Sequence, residues 1–180
     1  LANLPNLLQA VRIINAPWGL EIGARHITIS TSGLAPQIRK LALEPTQFRL
    51  AISLHGATDE VRNQIMPVNR KYPLSTLLEA CDFYVAEKKR LMFEYILIAG
   101  VNDTDEQAHA LAQRAARLSA KITLITAHRV EGLDWSRTST TRQVPRLDRM
   151  LKTSTATTVR PARTPATPAP AASRPWRSVA

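Results

Sequence analysis

A chain of 180 residues has room for one domain, or one domain and a tail, and its 44% hydrophobic residues suffice to build a core. Its single cysteine, Cys81, excludes a disulfide framework or a cysteine-ligated metal centre made from this chain alone, and no run of about 18 apolar residues exists to span a membrane. The net charge of +10 divides in two: residues 1–150 carry 19 Lys and Arg against 14 Asp and Glu, and the last thirty carry five and none.

A basic body suits a nucleic-acid partner, yet many soluble enzymes share it, so charge alone decides nothing. The start, LANLPNLLQAV, has neither a basic segment followed by an apolar one nor an initiator Met. It reads as a piece of a longer chain.

Asn3 to Asn15 predicts an amphipathic helix with Pro5 in its first turn and a stripe of Leu7, Leu8, Val11 and Ile14. Arg25 to Thr31 alternates Ile27 and Ile29 with Thr28 and Ser30, the period of a strand, and Gly33 relieves the backbone as the chain leaves it. A short helix follows over Leu34 to Leu43. Phe48 to His55 alternates again and predicts a second strand. Thr58 then caps a helix from Asp59 to about Ile65, with Asp59 and Glu60 where the helix dipole favours acids.

Ser75 is expected to cap a longer helix ending near the basic run Lys88-Lys89-Arg90. Cys81 falls on its apolar stripe with Leu77, Leu78 and Val85, so it reads as a buried small hydrophobe rather than a nucleophile. Leu91 to Ile98 is nearly unbroken apolar and predicts a strand buried on both faces. Glu94 interrupts it, either as half of a structural ion pair or facing a binding cavity.

Thr104 to Leu118 predicts a helix and Lys121 to Thr126 a fourth strand. A long loop over Ala127 to Arg142 and a brief helix over Gln143 to Leu151 complete the core, residues 1–151. Strands alternating with helices argue an α/β fold with a parallel sheet, and four strands make an arc of a (β/α) barrel or an open sheet. Residues 152–180, rich in Pro, Ala, Arg and Thr without acids, cannot bury enough apolar surface and are expected to be a disordered tail.

The C-terminal ends of parallel strands are where ligands bind. There the sequence gathers Ser30, Thr31 and Ser32, then Ser53 and His55, then Asn102 and Asp103, then His128. Hydroxyls with an imidazole suit a polar small molecule such as a nucleoside. Ser53 and His55 lie two apart on one strand face, but no nucleophile elbow surrounds them. His26 and His109 show no ligand spacing, and no glycine loop of the phosphate-cradling kind exists.

Several stretches together, RHITISTSG, LAISLHGATDEVRNQIMPVNRKYPL, FEYILIAGVNDTDEQAHALA and VEGLDWSR with TTRQ, resemble the radical S-adenosylmethionine (SAM) rRNA adenine-C2 methyltransferases, over roughly Leu1 to Leu151. The resemblance implies a partial (β/α) barrel of radical SAM type holding a [4Fe–4S] cluster and SAM. It implies methylation of C2 of an adenine in 23S rRNA, and in tRNA, through a methyl-cysteine and a 5′-deoxyadenosyl radical, a hard step that the cofactor carries. It places SAM contacts on Ser30 of STSG and on Ser53, Leu54 and His55 of SLH. A further family contact, the Asn of a LIPxN pattern, meets LITAH here, with Thr126 and His128 at its Pro and Asn.

The cluster loop CxxxCxxC, the general base and an RNA-binding module are expected upstream of Leu1, and the methyl-carrying cysteine in a downstream segment that RPARTPATPAPAAS replaces. The chain therefore reads as a truncated or frameshifted C-terminal fragment, with no catalytic or metal-binding residue of its own and inactive alone. The expected partners are 23S rRNA, tRNA and an electron donor, for a cytoplasmic monomer away from membranes. Two rivals remain: the C8-methylating sibling of the family, and a non-catalytic basic RNA-binding fragment.

Overall fold

In the computed structural model, residues 1–127 are described except for 46 and 88, together with 149, 151 and the backbone of 160 and 161. Four strands run parallel in sequence order: β1 (Thr28–Thr31), β2 (Arg49–Ser53), β3 (Arg90–Leu97) and β4 (Lys121–Thr126). A two-residue β5 (Arg160–Pro161) extends the sheet beyond β4, pairing parallel with Thr123 and Leu124. The rest of the expected tail and the loop from His128 to Arg142 lie outside the described residues.

The helices are α1 (Leu4–Asn15), α2 (Ala35–Ala42), α3 (Asp59–Ile65), α4 (Leu74–Ala86) and α5 (Asp105–Arg117). Parallel neighbours taken in order, with crossovers of one hand, put every connecting helix on the same face of the sheet. Burial follows that rule. Ile29, Leu50, Ile52, Phe93, Tyr95, Leu97, Ile122 and Leu124 form the covered face and join one hydrophobic cluster that reaches from Leu4 to Leu151. The other face carries Ser30, Ala51, Ser53, Met92, Glu94, Ile96, Thr123 and Ile125; Ser30 is exposed, Ala51 buried and the rest half-buried. This is an arc of a barrel wall, helices outside and a concave face within.

Here β3 departs from expectation. Its apolar run predicts burial on both faces, yet only alternate residues are buried, because the second face looks into the barrel. Two strands are also shorter than their alternation suggests. Ala24–His26 forms a 3₁₀ turn before β1, and β2 stops at Ser53, two residues before His55.

Thr58 caps α3 as its sequence predicts, and Thr104, expected inside the next helix, caps α5; each hydroxyl accepts the backbone N–H three residues on. Ser75 does not cap α4. Pro73 holds that position, and the Asp59 carboxylate accepts the Leu74 N–H instead, at 2.9 Å. Nor do Lys89 and Arg90 sit on the end of α4, which stops at Ala86. Lys89 is buried and its ammonium donates to the carbonyls of Leu41 and Glu44, closing the end of α2. Lys89→Met should therefore cost about 1–2 kcal/mol by taking that donor from the Glu44 carbonyl and leaving the Leu41 carbonyl with the Glu44 N–H alone; an unchanged melting temperature would contradict this role.

Candidate functional site

The site begins where β1, β2 and β3 end. Register pairs Ser30 with Ala51 and Ser53 with Glu94, so Ser30 stands two residues below the level of Ser53 and Glu94, on the same open face of neighbouring strands. The hydroxyls of Ser30 and Ser53 both donate to Glu94 Oε2, at 3.2 and 3.1 Å. Among the described residues Glu94 is half of no ion pair, and it is not buried alone. It gathers the two serines that the sequence singles out.

One residue further, the chain makes a sharp turn. The Gly56 N–H donates to the Leu54 carbonyl at 2.7 Å, and His55 between them takes φ 55. A three-residue turn of that hand is rare and strained for a side-chain-bearing residue, and such strain collects at functional sites. It also carries His55 off the strand face, so Ser53 and His55 do not project together. The Ser53 proton goes to Glu94, and no Ser–His nucleophilic pair forms.

The turn aims the imidazole at β3. In a parallel ladder the Ile96 N–H would donate to the Leu54 carbonyl, and here it donates to His55 Nδ1 at 3.2 Å. An Nδ1 that accepts leaves the ring proton of neutral His55 on Nε2. Burial is the main cause that lowers the imidazole pKa to about 4; Glu94 pulls the other way and Arg62 adds to the lowering. At neutral pH His55 is an uncharged N–H donor.

Leu54 is placed differently from its neighbours. Its side chain is buried, its N–H donates to the Glu94 carbonyl, and its carbonyl accepts from Arg62 as well as Gly56. Thr31 points to the covered face, where its hydroxyl accepts the Gly33 N–H. Asn102 is also taken up by the fold. Its amide donates to the carbonyls of His55 and Ile96 at 2.7 and 2.6 Å, and its Oδ1 accepts the Ile98 N–H at 2.7 Å. That clamp joins the ends of β2 and β3. Asp103 accepts the Gly100 N–H. His128 lies outside the described residues.

Sequence reasoning missed the residue that holds this rim together. Arg62 is wholly buried, and its guanidinium donates to Leu54 O at 3.1 Å, Ser32 O at 2.6 Å and Asn69 Oδ1 at 2.6 Å. Asn69 passes the connection to Asp59 and Asn63. A fork of donors suits three fixed acceptors. The D-E-x-R and M-P-x-N stretches, noticed only as a resemblance, are the two halves of this bracket between β1 and β2. The backbone allows it through Gly56: a Cβ there would stand 2.7 Å from Arg62 N. At Gly33, φ 108 and the nearby Arg62 guanidinium likewise exclude a side chain. Gln107 ties α5 to the same loop, accepting from Ala57 N and donating to Thr58 Oγ1.

The rim therefore offers a carboxylate with two hydroxyls on the open face and one imidazole N–H above them, all on a rigid scaffold. A cleft of about 400 Å³ lies elsewhere, lined by Gly23, Ala24, Arg25, His26 and Gln47. Those residues precede β1 and β2, at the opposite edge of the sheet, and share none of the strand-end groups. The strand-end rim is the better candidate, because its groups converge and its backbone is strained.

Among the described residues no group of three or more His, Cys, Asp and Glu is placed to hold a metal ion. Cys81 is buried in α4, and its thiol pKa is pushed up to about 12, chiefly by burial. It is no thiolate ligand.

No family model matches the sequence. Curated relatives do. The probable dual-specificity RNA methyltransferase RlmN 3 of Opitutus terrae is 56% identical over 144 residues, 79% of this chain and 38% of the relative. The probable dual-specificity RNA methyltransferase RlmN of Akkermansia muciniphila is 54% identical over 143 residues, covering 79% and 40%. The chain thus spans about two fifths of the length of these relatives. Among solved structures, a radical SAM methyltransferase from Sphaerobacter thermophilus superposes with a TM-score of 0.81 at 40% identity, over 88% of this chain and 47% of that one. A domain of pyruvate-formate lyase-activating enzyme from Bacteroides vulgatus, at 16% identity and a TM-score of 0.67, shares the fold alone.

Proposed function

Over the length it shares with those relatives, the chain belongs to the family of radical SAM, dual-specificity RNA methyltransferases, and we propose that its strand-end rim binds SAM for methylation of C2 of an adenine in 23S rRNA and tRNA. The observation that carries this reading is the convergence of Ser30, Ser53 and His55 on the ends of adjacent parallel strands, with Glu94 joining the two serines. A nucleoside ligand needs such a set: hydroxyl and carboxylate acceptors at one end, an N–H donor at the other. Leu54 contributes through the turn it anchors, since its side chain and both backbone groups are already engaged.

SAM supplies the transferable methyl group when bound, and Ser53 and His55 fix where its nucleoside lies. A [4Fe–4S] cluster needs several thiolates. The residues of this chain do not fit one, because its one cysteine is sealed in the core. We assign the cluster ligands, and the cysteine that carries the methyl group, to the part of the relatives' length that this chain does not span. The basic charge supports an RNA partner, and an electron donor would act on the cluster, not on this rim. Among the described residues no helix is long and apolar enough to cross a membrane, and we place the enzyme in the cytoplasm.

Equilibrium dialysis against SAM tests the reading. His55→Ala should weaken SAM binding about tenfold or more, by removing one donor and the turn that aims it, while salt-dependent RNA binding is unchanged. If SAM binds His55→Ala as it binds the unaltered chain, the rim is not its site, and the non-catalytic RNA-binding alternative gains.

A further inference from the structure

We propose that the N-terminal edge of the sheet, opposite the rim, is a track for the phosphate backbone of single-stranded RNA, with Arg49 and Arg90 at its centre. The proposal rests on the RNA partner of the proposed function and not on the SAM reading of the rim.

Register places like charges side by side here. Arg49 on β2 is the direct partner of Arg90 on β3, and both lie on the open face, in phase with Ser53 and Glu94. Neighbouring strands are about 4.8 Å apart, and like charges opposite one another in a sheet are destabilising. A local rule broken without an evident gain in stability marks a functional position. Lys121 adds a cation to the same face on β4, level with Met92. Arg90 and Lys121 are exposed and Arg49 is half-buried. The Nε of Arg49 is buried and meets no acceptor among the described residues. Helix C-termini favour cations, but the helices lie on the covered side and these side chains on the open one.

The row continues past β1. Carrying the register of β1 and β2 back by two residues sets His26 beside Gln47, and both line the cleft of about 400 Å³ with Arg25. Its described lining thus offers a guanidinium, an imidazole and an amide, all with N–H donors, and no acid. Two acids near this edge are turned elsewhere: Glu44 pairs with Arg12 at 2.8 Å, and the charge of Glu87 acts on Lys89. A third, Glu21, is exposed in the loop from α1. On the open face Glu94 is level with Ser53, four residues or about 13 Å along the strands from Arg49 and Arg90.

A chain of phosphates fits such a row. From the cleft before β1 to Lys121 on β4 the cations span four neighbouring strands, about 14 Å, too far for one small anion. Guanidinium forks take phosphate oxygens in pairs, and an anion between Arg49 and Arg90 turns their repulsion into two charge-assisted contacts. Contacts of this kind hold an RNA strand in place without reading its sequence.

Fluorescence anisotropy of a labelled oligouridylate of about twelve nucleotides tests this; it holds no adenine, so it cannot serve as the methylation substrate. The unaltered 180-residue chain should bind it with a slope of log affinity against log salt near −3, as for about four phosphate contacts. The double variant Arg49→Met, Arg90→Met keeps both apolar stems. It should lose about tenfold or more in affinity and about 1.4 in slope, while its melting temperature holds or rises. Arg70→Met with Lys71→Met removes the same charge beyond α3, on the rim side, and should leave the slope unchanged. An equal loss there would reduce the effect to net charge and overturn the track. So would an unaltered slope in the Arg49, Arg90 variant, which would leave RNA binding itself standing. Inorganic tripolyphosphate should bind more weakly than the oligouridylate; tighter binding that the double variant loses would overturn the RNA assignment in favour of a free polyphosphate. If the double variant fails to fold, the single variants answer, each losing about 0.7 in slope. If the unaltered chain binds no oligouridylate, its RNA partner falls, and the track with it.

Discussion

Replacing Arg62 by alanine should cost about 3–5 kcal/mol of folding stability, the range for breaking a buried charged network from one side. The guanidinium is wholly buried, yet burial lowers its pKa only to about 10, so it is charged at neutral pH. Truncation leaves the carbonyl of Ser32 and the amide oxygen of Asn69 without their donor, and strips Leu54 O of one of two. It also removes the cation that faces Asp59 through Asn69.

Lysine should rescue little of this. A single ammonium on a flexible stem cannot reach three acceptors set out for a planar fork. Arg62→Ala and Asn69→Ala should be strongly non-additive, because each breaks the same chain of bonds. Urea unfolding followed by circular dichroism measures both. A loss under about 1 kcal/mol for Arg62→Ala, within the range of one ordinary hydrogen bond, would show that the bracket is incidental.

How much of this was legible beforehand follows from what periodicity can express. Alternation along RHITIST and FRLAISLH identifies two strands that bring Ser30 and Ser53 to their C-terminal ends, and the α/β order implies that the strands are parallel neighbours. Both expectations hold. Glu94 stood out for the same reason, as a charge in an apolar run, but its partners depend on register. Register belongs to a pair of strands, and no single strand displays it. Lys89 misleads because a basic residue near a helix end suits that end, whereas its long stem lets it serve another helix.

Asn102 and Arg62 were hidden more deeply. A polar residue that satisfies backbone groups 47 or 30 residues away leaves no local signal in the chain. Spacing offered one clue: Asp59 and Arg62 are three apart on one helix face, with Asn69 just beyond the Pro67 that ends it. His55 was placed at the right rim and on the wrong face. Strand alternation assumes the strand continues, and here a Gly-assisted turn breaks it.

That turn sets the second large effect, on acid stability. Folded His55 holds its imidazole neutral down to about pH 4, against 6.5 for an unhindered histidine, with burial the chief cause. Between those values the unfolded chain takes a proton that the folded one refuses. Stability then rises with pH wherever the unfolded state binds more protons. The neutral ring's contribution is complete above about pH 6.5 and is lost progressively as the pH falls towards 4. Below that both states are protonated and the slope vanishes. Discounted for the partial exposure of the ring, the loss should be about 1–3 kcal/mol.

His55→Asn separates this from the general effect of acid, because asparagine tolerates the positive φ but does not titrate. Its stability should fall less than that of the unaltered chain between pH 6.5 and 4, in urea melts at three or four pH values; parallel curves would refute the assignment. Ligand binding supplies an independent sign. With His55 already neutral, SAM affinity should be level from pH 6 to 8. A break near 6.5 would mean that the imidazole had kept its ordinary pKa, and that Ile96 N–H does not hold Nδ1 as an acceptor.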